Sequence, residues 1–290
     1  MLPVSVPAEH WGLGVGELAF RLGWFSTGRD EAARMLLELV YREVVSGFLP
    51  VELAGVFCSR EPGETPESDR FLELVRALGL PLVYFSASRF KPDLRRASAE
   101  EWRLAYDREV LARVEPLGAD AVLLAGYMLI AGPEMCRRLA MVNLHPAPPG
   151  GPAGTWQEVI WTLIGEGARE AGAMTHVVTE ELDRGPVVAY FTFPLDTPEY
   201  APLWEQWHAK CRTRTPAEII AAEGENEPLF RKIRADGVRR EPALLVVTIK
   251  ALAEGRLRVA PGAVYDAAGW PVPGRCVNDE VAAWLAARGG

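Results

Sequence analysis

The sequence MVNLHP, at residues 141–146, is a short apolar run that carries two polar residues, Asn143 and His145. On an extended strand, residues two apart point to the same face. We therefore expect these two side chains to project together, while the apolar residues between them pack behind. Pro146 cannot continue a central ladder, so the strand is predicted to end just beyond the polar pair.

A second stretch, EELDRGP at residues 180–186, follows a run of β-forming residues and ends in a turn that contains glycine and proline. It delivers one carboxylate, Asp183, from a loop. An amide, an imidazole and a carboxylate at strand ends can form a catalytic set. The alternative is that His145 is only a hydrogen-bonded residue at a strand end and Asp183 only an Asx-turn residue.

Apolar periodicity in the first half of the chain predicts strands that alternate with helices. The strands are predicted over 18–25, 51–59, 82–85, 121–125 and 141–146, and the helices over 31–45, 69–78, 99–114 and 133–139. Residues 90–97 are predicted to form a loop. Strands and helices in this order predict an α/β fold with a right-handed, doubly wound and mostly parallel sheet.

The second half is predicted to add a helix over 156–165 and strands over 173–179 and 186–193, antiparallel to the first sheet or mixed with it. Residues 195–240 are more polar, with helices predicted over 203–210, 216–222 and 228–236. A long helix over 241–254, small strands over 257–259 and 263–265, and a last helix over 278–288 follow. No repeat and no clear linker interrupts the chain. We therefore expect one domain over 1–290 that carries a helical insertion at roughly 195–240.

Composition restricts the class of protein. The chain has 290 residues, a net charge of −8 and a pI of about 5.2, which argues against a large nucleic-acid surface. No apolar run has the roughly 20 residues of a membrane span, and the start does not read as a signal peptide. The four cysteines show no paired spacing, so we expect free thiols and no metal site. These features predict a cytoplasmic protein.

Two glycine-containing segments were considered as phosphate sites. The run GLGVG at 12–16 lacks a preceding strand and does not have its third glycine at the GxGxxG spacing, which argues against a dinucleotide fingerprint and a dehydrogenase. The turn STGRD at 26–30 lies between a predicted strand and a predicted helix, where open α/β sheets bind anions. The same turn also fits an ordinary helix start, with Ser, Thr and Asp as capping residues.

Three ordered motifs together resemble the folate-dependent formyltransferases. They are VLLAGYMLI at 122–130, MVNLHPAPPG at 141–150 and AGAMTHVVTEELDRGPVV at 171–188. A further stretch, from Glu241 to Leu257, supports the resemblance, which covers roughly residues 18–275. Within the family, the motifs are most similar to the branch that formylates glycinamide ribonucleotide in purine biosynthesis. The resemblance implies a one-carbon transferase that uses 10-formyltetrahydrofolate as co-substrate.

The resemblance also implies residue roles, position by position. Asn143, His145 and Asp183 match the family's catalytic residues. The folate pocket is matched by two segments, which contribute Tyr127, Met128, Leu129, Ile130, Val178, Thr179 and Glu180. The amine acceptor is matched by Thr27, Gly28 and Arg29, which would hold its phosphate, and by Glu241, which would hold its ribose. Asn143 and a protonated His145 would stabilise the oxyanion, while Asp183 would assist proton transfer. His176 is interpreted as a wall or structural residue.

The sequence departs from the family in three places. The turn at 26–30 has one glycine, and its two acids, Asp30 and Glu31, would repel a phosphate unless they point away. Leu129 stands where the family usually has an Arg. The segment 195–240 is longer than the family's connection. It forms either a lid over the acceptor site or a packed layer. We expect its tryptophans to pack and its cations, Lys210, Arg212 and Arg214, to face solvent.

Several alternatives remain open. A transferase would formylate a small amine, either glycinamide ribonucleotide or an amino sugar. A 10-formyltetrahydrofolate hydrolase would instead use water as the acceptor. A non-catalytic folate-binding regulatory protein is the alternative outside enzymes, although an intact trio argues against it. A tRNA formyltransferase is disfavoured, because the chain is acidic and its end is short. The chain is expected to be a monomer or a homodimer.

Overall fold

The computed structural model describes residues 19–289. One mixed sheet of eight strands runs through it, in the order β10-β7-β6-β5-β4-β1-β2-β3. In chain order, the strands of the first half are β1 (Phe20–Ser26), β2 (Val51–Cys58), β3 (Leu82–Tyr84), β4 (Ala121–Leu124) and β5 (Met141–His145). All five pair in parallel. This arrangement confirms the predicted doubly wound, mostly parallel α/β fold.

Helices connect these parallel strands. They are α1 (Glu31–Val45), α2 (Pro66–Ala77), α3 (Pro92–Ala97), α4 (Ala99–Val114) and α5 (Pro133–Arg138). The bounds predicted for α1 and α4 are confirmed, because Asp30 and Ser98 cap their first turns with side-chain oxygens. The loop predicted over 90–97 is wrong in part. Pro92 begins the short helix α3, which a proline at the first helical position favours.

The second half extends the same sheet. After α6 (Trp156–Gly165) come β6 (Glu170–Val177) and β7 (Val187–Pro194), and a two-residue strand near the end, β10 (Arg275–Cys276), lies at the edge. β6 is antiparallel to both β5 and β7, whereas β10 is parallel to β7. The antiparallel or mixed pairing expected for these strands is thus confirmed. A separate hairpin is formed by β8 (Leu257–Ala260) and β9 (Ala263–Asp266).

Residues 195–253 are mainly helical, with α7 (Ala201–Cys211), α8 (Pro216–Glu223) and α9 (Pro228–Ala253), and the described chain ends with α10 (Asn278–Ala286). Two separate helices were predicted where the single helix α9 runs. Pro242 lies inside it, although a proline there removes one backbone bond. Apolar residues are buried on both sides of Pro242, and this burial favours one continuous element.

Two apolar cores cover the two faces of the sheet. One core packs α1, α2, α6, α9 and α10 against one face, and the other packs α4 and α5 against the opposite face. Both faces of the parallel strands are therefore buried, and function is left to the loops at the strand ends. Within residues 19–289, no helix combines the length and the apolar character that a membrane crossing requires.

Residues 195–240 were expected to pack their tryptophans and to expose their cations. Trp207 is buried and Trp204 donates its indole N–H to the Leu195 carbonyl at 2.8 Å, so these tryptophans pack as expected. The prediction that the cations face solvent is wrong for Lys210 and Arg214. Both form ion pairs at 2.6 Å with Glu223, and Lys210 also pairs with the buried Glu227 at 3.1 Å.

Candidate active site

The carboxyl end of β5 meets β6 in antiparallel register, and this pairing builds the centre of the site. Asn143 lies directly opposite His176 across the ladder. Side chains of directly paired residues lie on the same face. The Asn143 Nδ2 atom is 3.4 Å from the His176 Nε2 atom. His145 follows two residues later and is almost fully buried.

Asp183 reaches this centre because the loop after β6 folds back tightly. A Cβ at Gly185 would lie 1.7 Å from the Val177 carbonyl oxygen, so only glycine permits this approach. The Val177 N–H donates to the Pro186 carbonyl at 2.8 Å and closes the loop. Asp183 has a φ of 55°, a conformation that is uncommon outside glycine. Such strain is concentrated at functional sites.

The Asp183 carboxylate lies between two imidazoles. Its Oδ2 atom is 3.5 Å from His145 Nδ1, and its Oδ1 atom is 3.6 Å from His176 Nε2. Burial alone would raise the pKa of Asp183. The two neighbouring imidazoles and the Gly154 N–H outweigh burial and lower the pKa below its usual value. Asp183 is therefore a carboxylate at neutral pH and can accept a proton.

His145 lies behind Asp183 and not on the wall of the neighbouring cleft. Its Nε2–H donates to the Pro152 carbonyl at 2.8 Å, which assigns the tautomer and leaves Nδ1 facing Asp183. Burial lowers the pKa of His145, although the Pro152 carbonyl and Asp183 act in the opposite direction. The neutral imidazole is favoured at neutral pH. The oxyanion role that was predicted for a protonated His145 remains a prediction.

His176, interpreted from the sequence as a wall or structural residue, lies beside both Asn143 and Asp183. Its Nδ1–H donates to the Val177 carbonyl at 3.1 Å, so its Nε2 faces Asn143 and Asp183. The imidazole thus links the amide to the carboxylate. The sequence does place a His inside the third motif, but its partner Asn143 lies 33 positions earlier.

An apolar cleft opens beside Asn143, His176 and Asp183. We call it the first cleft, and its volume is about 90 Å³. Its other lining residues come from the segment after β4 and the segment after β6: Leu124, Tyr127, Leu129, Ile130, Ala131, Val178, Thr179, Glu181 and Leu182. An apolar cleft with a few convergent polar groups is the expected form of a small-molecule site.

Five of the seven predicted folate-binding residues line the first cleft: Tyr127, Leu129, Ile130, Val178 and Thr179. Met128 and Glu180 do not. The Met128 side chain is 52% exposed, and Glu180 forms an ion pair with Arg137 at 3.2 Å. Instead, the cleft takes Glu181 and Leu182 from the second segment.

The turn predicted to hold a phosphate forms an ordinary helix start. Asp30 accepts from the Ala33 N–H at 3.1 Å and caps α1, which confirms the capping alternative. The Thr27 N–H donates to the Gly126 carbonyl and the Gly28 N–H donates to the Ser26 hydroxyl. Arg29 pairs with Asp30 at 3.3 Å. Several backbone donors of this turn are therefore already engaged within the chain.

Glu241 lies in a different place, which we call the second cleft. It is small, about 20 Å³, and its lining comes from the residue after β5, from α6, from β6 and β7, and from α9: Pro146, Ile160, Leu163, Ala171, Gly172, Phe193, Ile233, Arg234, Gly237 and Glu241. The Glu241 carboxylate accepts from Arg234 at 2.9 Å. Burial raises the pKa of Glu241, although Arg234 acts to lower it. The first and second clefts share no lining residue.

Comparison with known proteins identifies the family. Residues 68–202 match the family model described as formyl transferase. The chain is 30% identical over 151 residues to the phosphoribosylglycinamide formyltransferase of Escherichia coli strain K12, which covers 46% of this chain and 69% of that enzyme. The chain belongs to the formyl transferase family. This formyl transferase is also 25% identical over 181 residues to the formyltetrahydrofolate deformylase of Bacillus subtilis, covering 58% and 53% of the two chains.

Solved structures support the fold of this formyl transferase. The phosphoribosylglycinamide formyltransferase of Coxiella burnetii superposes with a TM-score of 0.61 at 16% identity, covering 89% of this chain and 99% of that one. A glycinamide ribonucleotide transformylase of Symbiobacterium toebii gives a TM-score of 0.56 at 22% identity, covering 88% and 99%. At these identities the similarity establishes the fold alone.

Proposed function

We propose that this formyl transferase moves a formyl group from 10-formyltetrahydrofolate to the amine of glycinamide ribonucleotide. One observation carries the proposal: the Asp183 carboxylate lies between two imidazoles, with the Asn143 amide beside it, at the edge of an apolar cleft. The names of the relatives suggest the donor and the acceptor. The first cleft would hold the pterin of the donor against the segments 127–131 and 178–182.

The reaction assigned to these residues needs no covalent nucleophile. The acceptor nitrogen attacks the formyl carbon, a C–N bond forms, and the carbonyl electron pair moves to oxygen. The Asn143 amide can donate to the resulting oxyanion. Asp183, directly or through a water, can accept the ammonium proton and deliver it to N10 as the C–N10 bond breaks. His145 and His176 flank the carboxylate, with ring nitrogens 3.5 and 3.6 Å from its oxygens.

A formyl-transfer assay tests the function. The purified chain is incubated with 10-formyltetrahydrofolate and glycinamide ribonucleotide, and the absorbance of the folate product is followed. Parallel reactions contain an amino sugar or no acceptor. We expect turnover that depends on glycinamide ribonucleotide. Turnover that depends only on an amino sugar would change the acceptor. The absence of turnover with bound folate would favour a folate-binding regulatory protein.

A second candidate function is hydrolysis of 10-formyltetrahydrofolate, with water in place of the amine. The engaged donors at Thr27, Gly28 and Ala33 favour it, because they leave fewer N–H groups for an acceptor phosphate. The match to a formyltetrahydrofolate deformylase favours it as well. The same assay decides, since formate release without any amine at the full rate would replace transfer by hydrolysis.

The acceptor site leads to a prediction for Arg29. If the acceptor phosphate is received at residues 27–29, Arg29→Glu should raise the KM for glycinamide ribonucleotide about tenfold, because it places a third acid beside Asp30 and Glu31. Glu241→Ala should raise this KM more mildly. The KM for the donor should stay unchanged for both variants.

Arg212→Glu supplies the comparison, since it reverses an exposed charge in the insertion. A normal KM for Arg29→Glu together with a raised KM for Arg212→Glu would move the acceptor site to the insertion. Lys210 and Arg214 are less suited to that role, because both are tied to Glu223.

The donor site leads to a prediction for Leu129. Leu129→Asp should weaken donor binding by at least about tenfold, because it adds an unpaired charge to an apolar wall that already faces Glu181 and Asp183. Met128→Asp should have a smaller effect, since that side chain is half exposed and lies outside the lining. Calorimetry with a stable analogue such as 10-formyl-5,8-dideazafolate measures the affinities. Equal affinity for Leu129→Asp and the parent would place the donor elsewhere.

The remaining assignments are coarser. We propose a single domain, because one sheet runs through residues 20–276 and the insertion packs onto it. A monomer or a homodimer in the cytoplasm, with two small molecules as its partners and no nucleic acid, fits the acidic composition. Sedimentation measures the oligomeric state directly.

A further inference from the structure

The segment between β4 and α5 forms one wall of the first cleft, and we call residues 126–132 the donor loop. Its middle contributes Leu129, Ile130 and Ala131 to the lining, while Met128 and Ile130 are about half exposed. A loop of this kind needs outside contacts to hold its position, because it belongs to neither the strand nor the helix. Two buried polar side chains provide such contacts, one near each end.

Thr27 holds the first end of the donor loop. Its side-chain oxygen accepts from the Met128 N–H at 2.9 Å, and its own N–H donates to the Gly126 carbonyl at 3.0 Å. The Ser59 hydroxyl donates to the same Thr27 oxygen at 3.0 Å. Thr27 is 6% exposed, so its hydroxyl faces the donor loop and not the solvent at the start of α1.

Asp107, on α4, holds the other end. Its Oδ2 atom accepts from the Gly132 N–H at 2.6 Å, and the residue is 2% exposed. A Cβ at Gly132 would lie 2.7 Å from that oxygen, so a larger residue there would displace the carboxylate. Burial raises the pKa of Asp107 to about 6, although the Gly132 N–H and Arg103 act to lower it. A buried carboxylate is costly, and such groups are often retained at functional sites.

We propose that Thr27 and Asp107 are positioning residues for the donor: they hold the donor loop in the conformation that binds the folate. The inference rests on the proposed function. It also gives Thr27 a role different from the acceptor contact implied by the family resemblance. Neither residue touches the donor in this assignment, since neither lines the first cleft. Each acts through a backbone N–H of the donor loop.

Direct binding of 10-formyl-5,8-dideazafolate, followed by calorimetry on the full chain, tests the proposal. Thr27→Val keeps the shape but removes the acceptor oxygen, and Asp107→Leu removes the carboxylate. Each should weaken binding about tenfold, because the donor must then order a released loop. Thr27→Ser and Asp107→Asn retain an acceptor atom and should bind within about threefold of the parent. The KM for the amine should not change in any of the four.

Thr248→Val is the matched control. Thr248 is fully buried in α9 and makes two hydrogen bonds, to Thr175 and to the Leu244 carbonyl, away from both clefts. It should lower the melting temperature as Thr27→Val does, but leave the affinity for the analogue unchanged. If Asp107→Leu does not fold, the near-isosteric Thr27→Val decides the test.

Three results would overturn the inference. The first is parent-like affinity in Thr27→Val. The second is equal weakening in Thr248→Val, which would reduce the effect to general stability. The third is a raised KM for the amine with unchanged affinity for the analogue, which would return Thr27 to the acceptor site. Failure of the proposed function is separate, because it would appear in the parent chain as absent transfer to glycinamide ribonucleotide, whatever the affinity for the analogue.

Discussion

Asp183→Asn should lower kcat by about 10²–10⁴ while leaving the fold intact. The substitution keeps the shape of the side chain and removes the charge that His145 and His176 face at 3.5 and 3.6 Å. Without a carboxylate, the proton of the attacking amine has no ionised acceptor at this position. The KM of the donor should change little, because Asp183 contributes only an edge to the apolar cleft.

The pH profile provides a second readout for the same variant. In the parent, Asp183 raises the pKa of His145 although burial lowers it overall. In Asp183→Asn this negative charge is gone, so the charged form of His145 is less stable and its pKa falls further. We expect any acidic limb of kcat/KM that reports His145 to move to lower pH in the variant. A limb that stays in place would assign it to another group.

Kinetics on purified protein check both expectations, with circular dichroism to confirm folding. Asp93→Asn is a suitable control, since Asp93 is an exposed carboxylate on α3 that lines neither cleft. It should turn over at the parental rate. Parental turnover in a folded Asp183→Asn variant would remove Asp183 from the mechanism, and with it the observation on which the proposed function depends.

Local signals were enough to predict most of the elements. Capping residues define the starts of α1, α4 and α6, and their predicted bounds agree with the structure. The strand carrying Asn143 was predicted from alternation and from the stop at Pro146. These features depend on residues close together in the sequence, so a single chain carries enough information to predict them.

The wrong predictions concern features that depend on contacts between residues distant in sequence. A separate helix was expected to begin at Glu241, beside Pro242, but burial on both sides keeps α9 continuous through this point. Lys210 and Arg214 were expected in solvent, yet Glu223 binds both. No local pattern contains these partnerships. They arise when elements pack, which hydrophobic periodicity does not describe.

The candidate site shows the same division. The motifs predicted that Asn143, His145 and Asp183 lie together. In the structure His145 is 3.5 Å from Asp183, and Asn143 and Asp183 line the same cleft. The motifs did not reveal that His176 would stand between the amide and the carboxylate, because that depends on the register of β5 against β6. Nor did they reveal that His145 would lie behind Asp183, since the Pro152 carbonyl fixes its ring.

The amide of Asn143 leads to the second large effect. Asn143→Ala should lower kcat by about 10²–10³, because it removes the one side-chain amide on the lining of the first cleft that can donate to the oxyanion. The loss should appear in kcat and kcat/KM equally, since the donor is needed in the transition state and not in the bound complex. His176 would also lose its neighbour at 3.4 Å.

Steady-state kinetics together with affinity for the donor analogue separate this role from simple binding. Asn143→Ala should bind 10-formyl-5,8-dideazafolate nearly as well as the parent does, while turnover falls. Asn226→Ala, at an exposed position in the insertion, should match the parent in both measurements. If affinity falls as far as turnover in Asn143→Ala, the amide serves ground-state binding, and the oxyanion must be stabilised by another donor. His176 would then be the first candidate, because its imidazole lines the first cleft and a proton on Nε2 would give the ring a second N–H there.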